Sequence, residues 1–234
     1  MASSADDQLS PRARQIVTAA RELLDEEGLE ALSMRRLAER LGIRAPSLYK
    51  HFPSKEALES ALISEGFREQ GAMFEAALQN SNEPLTSMAA AYRRYAQRNP
   101  GLYRLMYDRS LNRALLQPGS EESAVVPVVQ AASGDRDLAR AAFAFAHGMT
   151  VLELNHRFPP DADLQAAWRR GMQALEISAM TTRPGHRTPP LEAPRNEMRS
   201  KPRGDGSSSQ LADRRTCLAK SRSAKGDSDD SLRV

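Results

Sequence analysis

The stretch LGIRAPSLYKHFPSKEAL, residues 41–58, decides the fold of the N-terminal part of the chain. Gly42 interrupts one series of helically spaced apolar residues, and Pro46 opens a second, very short series with Leu48 and Phe52. Glycine permits a sharp turn, and proline is well suited to the first position of a new helix. Two helices joined in this way form a helix-turn-helix.

Further helix signals lie on both sides of this turn. Ser10 followed by Pro11 is typical of a helix start, and Gly28 of a helix end. Ser33 is expected to cap the helix before the turn, and Ser54 to cap a fourth helix. These signals predict a helix-turn-helix domain at residues 10–56, preceded by a flexible N-terminus at residues 1–9.

The remaining sequence also predicts helices and no convincing strand. One helix is expected from Pro84 to Arg98 and another around residues 102–106, followed by a polar loop at residues 117–123. Residues 125–129 are β-branched around a proline, but a short helix fits their surroundings better than a strand. Two long segments, 137–157 and 161–181, have apolar residues at helical spacing and are joined tightly enough to form an antiparallel pair.

Composition excludes several classes of protein. No apolar run reaches about 18 residues, which argues against a transmembrane helix, and the N-terminus does not resemble a signal peptide. Cys217 is the only cysteine, which fits a reducing cytoplasm and excludes an internal disulfide framework. No nucleophile–base pair, carboxylate pair or metal-ligand cluster is evident, so we expect neither an enzyme nor a metal or other cofactor.

The net charge of +3 is unevenly distributed along the chain. Residues 183–234 hold twelve Lys/Arg against seven Asp/Glu, with abundant Ser, Pro and Gly, which predicts a disordered basic tail. Residues 33–55 hold six basic residues against Glu39 alone. This second cluster, on an otherwise mildly acidic body, indicates nucleic-acid binding better than the overall charge does.

The short second helix of a helix-turn-helix approaches the DNA major groove by its N-terminal end. Arg44, Ala45 and Pro46 are therefore placed at base edges, and the Arg44 guanidinium can make two hydrogen bonds to guanine. Phosphate contacts are expected from the hydroxyls and amines that follow, namely Ser47, Tyr49, Lys50 and Lys55. The alternative from patterning alone is a plain helical bundle with a solvated basic face.

Residues 15–62 resemble the DNA-binding domain of TetR-type repressors. The motifs that carry the resemblance are EEG at residues 26–28, LSMRRLAERLGI at 32–43, LYKHF at 48–52 and SKEAL at 54–58. The resemblance implies that Ser33 and Arg35 open the helix before the turn, with Arg35 able to reach a base or a phosphate. It also places Ser47, Tyr49 and Lys55 at phosphates and Ala45 and Pro46 at bases. Arg44 departs from the small residue often found at its position.

The same resemblance implies a helical regulatory and dimerisation domain at residues 57–182. Residues 95–107 and 146–158 are similar to a C-terminal subtype with a recurring Trp-His-Gly triplet, in which Ala146 here replaces the tryptophan. A small-molecule pocket is expected from aromatic, methionine and polar side chains. The candidates are Tyr92, Tyr95, Tyr103, Met106, Tyr107, Phe143 and His147, each of which has ordinary core packing as the alternative.

The two closing helices have wide apolar faces with small residues, which favours close helix approach. Ala139, Ala142, Ala146, Gly148 and Gly171 are the small positions. These faces form either an intramolecular core or half of a homodimer interface, and we favour the dimer. The sequence thus predicts an all-α cytoplasmic repressor that binds a palindromic operator as a homodimer and is released by a small-molecule inducer. The alternative is a small-molecule-binding protein with a vestigial DNA-binding domain.

Overall fold

The computed structural model describes residues 9–79 and 81–181, and the regular structure of these residues is helical, as predicted. Along them run nine α-helices: α1 Pro11–Glu27, α2 Met34–Arg40, α3 Ala45–Tyr49, α4 Lys55–Leu78, α5 Pro84–Arg98, α6 Pro100–Tyr107, α7 Ser120–Ala131, α8 Arg136–Leu154 and α9 Leu164–Thr181. Residues 1–8 of the predicted flexible N-terminus, 1–9, and the whole predicted basic tail, 183–234, lie outside the described residues.

The three serines predicted as helix caps all act as caps. The Ser10 hydroxyl accepts from the Ala13 amide at 3.2 Å, Ser33 from Arg36 at 3.3 Å and Ser54 from Ala57 at 3.0 Å. Each hydroxyl satisfies an amide that has no partner within its own helix. The starts of α1, α2 and α4 are therefore determined locally.

The N-terminal helices share one apolar core. Ile16 of α1, Leu37 of α2, Leu48 of α3 and Leu58 of α4 are each completely buried in it. Phe52, predicted as core, is also buried. Because α3 has only five residues, the burial of Leu48 is what fixes its position against α1 and α2.

Helix α4 belongs to both halves of the molecule. The boundary predicted between residues 56 and 57 lies in its first turn. Its N-terminal half contributes Leu62 to the first core, and its C-terminal half contributes Phe74 to a second core formed with α5, α8 and α9. A single continuous helix thus connects the two cores.

Helix α7 approaches α4 closely because of a proline and a glycine. Pro127 lies inside α7 and has no amide proton, so the carbonyl of Ser123, four residues earlier, lacks its usual helical donor. That carbonyl faces Gly71 of α4, where an added Cβ would lie only 2.4 Å from the oxygen. Helix α7 begins at Ser120, so the loop predicted for residues 117–123 was too long by four residues.

The small residues of α8 and α9 pack within the chain. Ala139, Ala142 and Ala146 are buried in the second core. A Cβ on Gly171 would lie 2.1 Å from Cζ of Phe145, so the glycine admits that ring between the two helices. Assigning these four positions to a dimer seam was therefore wrong. Only Gly148, where an added Cβ would meet nothing within 4 Å, faces open space.

Helix α8 runs from Arg136 to Leu154 and α9 from Leu164 to Thr181, whereas the predicted segments were 137–157 and 161–181. Asp135 caps α8 by accepting from the amides of Asp137 and Leu138, and His156, at φ 51°, follows its C-terminal end.

Buried Glu176 of α9 accepts from the Thr86 amide at 2.9 Å at the start of α5. This carboxylate caps a helix 90 residues away, which favours packing of α9 on α5.

Candidate DNA interface and ligand cavity

The turn between α2 and α3 has the geometry of a helix-turn-helix. Gly42 adopts φ +63°, a conformation that side-chain-bearing residues rarely take, and the Ile43 amide bonds back to the Ala38 carbonyl at 3.0 Å. Arg44 is the residue before α3 and makes no side-chain cap, so its guanidinium is not used locally. The turn therefore leaves the N-terminal end of α3 accessible.

The predicted DNA contacts lie at the start of α2, at and around α3 and at the start of α4. Arg44, Pro46, Tyr49 and Lys50 are exposed, Tyr49 by 49%. Ala45, Ser47, Ser33 and Lys55 are partly buried beside them, and Arg35 is exposed on α2. The structure thus leaves all nine predicted side chains exposed or partly exposed.

Most of the basic cluster at residues 33–55 is paired with carboxylates. Arg40 makes a bidentate pair with Glu26, both bonds at 2.8 Å, and the hydrogen bond from Arg40 lowers the pKa of Glu26. Arg36 donates a single hydrogen bond to Oε2 of Glu27, so both arginines connect α2 to α1. Glu26 and Glu27 lie on α1, outside residues 33–55, so the local charge of that segment does not include them.

Two further cations of the cluster have looser partners. Arg35 lies 3.7 Å from Glu39, and Lys55 lies 3.3 Å from Glu59, each one helical turn away. The Arg35–Glu39 pair is exposed at both ends, so it contributes little free energy and exchanges readily, whereas Glu59 is largely buried. Among the described residues, Arg44 and Lys50 make no ion pair, which leaves one unpaired charge at each end of α3.

A cavity of about 600 Å³ lies between α4, α6, α7 and α8. Three of the predicted pocket residues line it, namely Met106, Tyr107 and Phe143. Sequence reasoning missed Phe67, Gln70 and Phe74 of α4, which also line it. Their spacing of three and four residues puts them on one helical face, and that periodicity is the signal by which they could have been found.

Tyr92, Tyr103 and His147 form a hydrogen-bonded cluster next to the cavity rather than part of its lining. The Tyr103 hydroxyl lies 2.7 Å from Nδ1 of His147, and the Tyr92 hydroxyl donates to the Tyr103 hydroxyl at 3.2 Å. Burial lowers the pKa of His147 and raises the pKa of Tyr103 to about 12. A neutral imidazole that accepts at Nδ1 fits both shifts.

Tyr107 connects this cluster to the cavity. Its ring lies 5.3 Å from that of His147 and 5.8 Å from that of Phe143, and its hydroxyl donates to Oε1 of Gln70 at 2.8 Å. Burial raises the pKa of Tyr107. Two tilted ring contacts and one side-chain hydrogen bond therefore hold the Tyr107 side chain at the wall of the cavity.

Tyr95 does not belong to the cavity, and its prediction as a pocket residue was wrong. Its hydroxyl donates to Oε2 of Glu69 at 2.9 Å, and Glu69 also pairs with Arg21 of α1 at 3.1 Å. Arg21 in turn donates to Asn99 at 2.7 Å. Tyr95 thus lies in a polar network that joins α1, α4 and the α5–α6 junction.

The described residues contain neither a candidate metal site nor a candidate membrane-spanning helix. No group of three or more His, Cys, Asp or Glu side chains there could hold a metal ion. None of the described helices is both long and apolar enough to cross a membrane.

Comparisons with solved structures give the same fold. A bacterial regulatory protein in the tetR family from Rhodococcus RHA1 superposes with a TM-score of 0.52 at 21% identity, covering 73% of this chain and 97% of that one. A TetR variant from Acinetobacter baumannii AYE, in complex with minocycline, gives 0.51 at 24% identity, covering 73% and 96%.

Sequence relatives divide into local and extended matches. The class C tetracycline repressor protein of Escherichia coli is 53% identical over 47 residues, 20% of this chain and 22% of the repressor. This chain therefore spans about a fifth of the length of such repressors. YobS of Bacillus subtilis (strain 168), an uncharacterized HTH-type transcriptional regulator, is 28% identical over 182 residues, 67% of this chain and 88% of YobS.

Two protein-family models match separate parts of the chain. The model described as bacterial regulatory proteins, tetR family, matches residues 16–62, which contain the helix-turn-helix. The model described as a tetracyclin repressor-like C-terminal domain matches residues 85–175, which contain most of the cavity lining. The chain therefore contains a DNA-binding domain of the tetR family of bacterial regulatory proteins, followed by a tetracyclin repressor-like C-terminal domain.

Proposed function

We propose that this protein is a transcriptional repressor that binds an operator as a homodimer and leaves it when a small molecule occupies the cavity. The observation that carries this function is the combination of an exposed, unpaired Arg44 at the start of α3 with a cavity of about 600 Å³ in the same chain. A vestigial DNA-binding domain, the alternative, gives no reason for unpaired cations to be kept at both ends of α3.

Each residue of the interface has a distinct proposed role. Arg44 reads a guanine, while Ala45 and Pro46 lie against neighbouring base edges. Arg35 reaches a base or a phosphate from α2. The phosphate contacts come from the remaining polar side chains, namely Ser33, Ser47, Tyr49, Lys50 and Lys55.

Helix α6 is the proposed link between cavity and DNA. At its start, Gly101 lies against α1, where an added Cβ would be 2.7 Å from the Leu24 carbonyl oxygen. At its end, Met106 and Tyr107 line the cavity. A ligand that displaces the end of α6 therefore changes how α6 presses on α1, and with it the position of α3.

The dimer interface is proposed to lie on the outward face of α8 and α9. Leu152, Ile177 and Met180 are 40%, 62% and 60% exposed there, and Gly148 is open to a neighbouring helix. Large exposed side chains next to small ones suit the approach of a second copy. Two-fold symmetry would place two α3 helices about 34 Å apart, or a multiple of this, on a palindromic site.

The C-terminal domain is proposed to be of the Trp-His-Gly subtype despite Ala146. His147 and Gly148 match the triplet, and each has a separate use in this chain: His147 accepts from Tyr103, and Gly148 faces the proposed dimer interface. The domain division at residues 10–56 and 57–182 is likewise a proposal, with α4 common to both parts.

The test is selection of binding sites by the full chain from a randomised duplex library. We expect a palindromic motif to be enriched, bound roughly a thousandfold more tightly than scrambled DNA at physiological salt. A duplex with one half-site scrambled is the matched control and should lose most of this preference. Failure to enrich any motif would leave the vestigial domain as the correct interpretation.

A further inference from the structure

The lining of the main cavity changes in character from one side to the other. Its buried part is aromatic and apolar, formed by Phe67, Phe74, Met106 and the ring of Tyr107. Its exposed part holds four arginines and one carboxylate, namely Arg109, Arg113, Arg136, Arg140 and Glu121. Such a site suits a molecule with an apolar body and one charged end.

The exposed side is electropositive after its ion pairs are counted. Arg113 is neutralised by a bidentate pair with Glu121, and Arg109 lies 3.5 Å from Glu59. Arg140 pairs with the highly exposed Asp137. Replacing this partner by an anionic group of a ligand costs little free energy. Arg136 makes no ion pair among the described residues.

Arg136, Arg140 and Phe143 follow one another along a single face of α8. Their spacing of four and three residues places them side by side on the helix surface, and all three line the cavity. Two cations and an aromatic ring therefore lie within two turns on one face of α8. An anionic group near Arg136 and Arg140 would have its apolar body directed towards Phe143.

One buried polar group in the cavity wall has an unused donor. Gln70 is only 1% exposed, and its Oε1 accepts from the Tyr107 hydroxyl at 2.8 Å. Its Nε2 is buried and has no hydrogen-bond partner among the described residues. A buried amide donor without a partner costs about 1–3 kcal/mol of free energy. A ligand that brings an acceptor to Nε2 recovers this energy, which a purely apolar ligand cannot do.

We infer that the cavity selects an aromatic organic anion that also carries a neutral hydrogen-bond acceptor. Arg136 and Arg140 pair with the anionic group, the aromatic wall takes the ring system, and Gln70 Nε2 donates to the acceptor. Gln70 is thus a specificity-determining residue for ligands of otherwise equal size. This inference rests on the proposed ligand-responsive function and names the chemical class of its ligand.

Three probes of nearly equal size separate the two interactions. The probe 4-benzoylbenzoate has both a carboxylate and a ketone, 4-benzylbenzoate lacks the ketone, and 4-methylbenzophenone lacks the carboxylate. Their dissociation constants for the full chain are measured by calorimetry. We expect 4-benzoylbenzoate to bind about tenfold more tightly than either analogue, because each analogue loses one charged or buried hydrogen bond.

Variants assign each preference to its residue. The double variant Arg136→Ala, Arg140→Ala should weaken both carboxylates about tenfold and leave the ketone 4-methylbenzophenone unchanged. Gln70→Met should weaken both ketones severalfold and leave 4-benzylbenzoate unchanged. Tyr107→Phe is the control for Gln70→Met, because it also removes the Tyr107–Gln70 bond but keeps the Gln70 donor.

Two arginines outside the cavity control for general loss of charge. Arg94 and Arg169 line a separate groove between α5 and α9, and their double substitution by alanine should change none of the three affinities. Melting curves of all variants show whether the fold is kept. The inference is overturned if 4-benzoylbenzoate binds no better than its analogues, or if Tyr107→Phe or the control pair reproduces the losses.

The same proteins tested on DNA separate this inference from the proposed function. The Arg136→Ala, Arg140→Ala variant without ligand should bind the selected operator as the wild type does, because neither residue lies in α1–α3 or in α6, the proposed link between cavity and DNA. Probe selectivity without any selected DNA motif would support the cavity inference and refute the regulatory function. Operator binding without probe selectivity would support the regulatory function and refute the cavity inference.

Discussion

At the scale of single residues, neighbouring arginines of the helix-turn-helix have different tasks. Arg44 is exposed and unpaired, whereas Arg40 is held by two hydrogen bonds to Glu26. Arg44→Ala should cost about 1–3 kcal/mol of specific operator affinity and relax one base position. Arg40→Ala, the matched control, should leave the base preference intact. Identical preferences from binding-site selection with and without Arg44 would contradict the assignment.

His147 should make stability depend on pH. Burial lowers its pKa in the folded chain, with Asp108 opposing, so the unfolded chain takes up a proton first as the pH falls below about 6.5. The contribution of the neutral His147 is thus complete above that pH and is lost as pH falls through the lowered folded value. The free energy of unfolding is measured with denaturant at pH 7.5 and at pH 5.5. It should fall less between these two pH values for His147→Gln than for the wild type. Exposed His51→Gln is the control, and equal losses in all three proteins would exclude this role.

At the scale of elements, glycines set how closely helices approach α6. Gly101→Ala would place a Cβ 2.7 Å from the Leu24 carbonyl oxygen, a backbone atom that cannot move without shifting α1. We expect a loss of about 1–3 kcal/mol in the free energy of unfolding, measured with urea.

Gly66→Ala is the comparison for this prediction. Its new Cβ would meet the flexible Sδ of Met106 at 2.6 Å, and alanine favours a helix interior by about 1 kcal/mol. These opposing effects should leave stability nearly unchanged. Equal losses in both variants would show that the contact of Gly101 with α1 has no special rigidity.

At the scale of the whole molecule, two substitutions on α8 distinguish its inner face from its outer face. Gly148→Arg places a cation on the open face proposed as the dimer interface, which should produce folded monomers with operator affinity reduced by on the order of 3 kcal/mol or more. Ala142→Arg buries a cation in the second core and should lower the melting temperature instead.

Sedimentation and melting curves measure both outcomes of this pair. A wild type that sediments as a monomer would contradict the proposed dimer. A Gly148→Arg protein that remains dimeric would place the interface elsewhere. An Ala142→Arg protein that dissociates without loss of stability would restore Ala142 to the interface.

Local chemistry determined much of this protein from the sequence alone. Ser10, Ser33 and Ser54 cap their helices because a hydroxyl needs only the amides of its own first turn. Gly42 makes the turn because of its own backbone freedom. The helix-turn-helix and its exposed residues could therefore be predicted, since their determinants lie close together in sequence, within residues 10–56.

Contacts between distant segments decided the rest. Glu22, Glu26 and Glu27 neutralise arginines of the basic cluster only because α1 packs beside α2. Tyr95 and Tyr107 look alike in sequence, but Glu69 takes the first into a polar network and Gln70 holds the second at the cavity. Ala142 is core and Gly148 is open because α5 and α7 cover only one face of α8. Periodicity shows that a helix has an apolar face, but only tertiary packing decides which residues cover it.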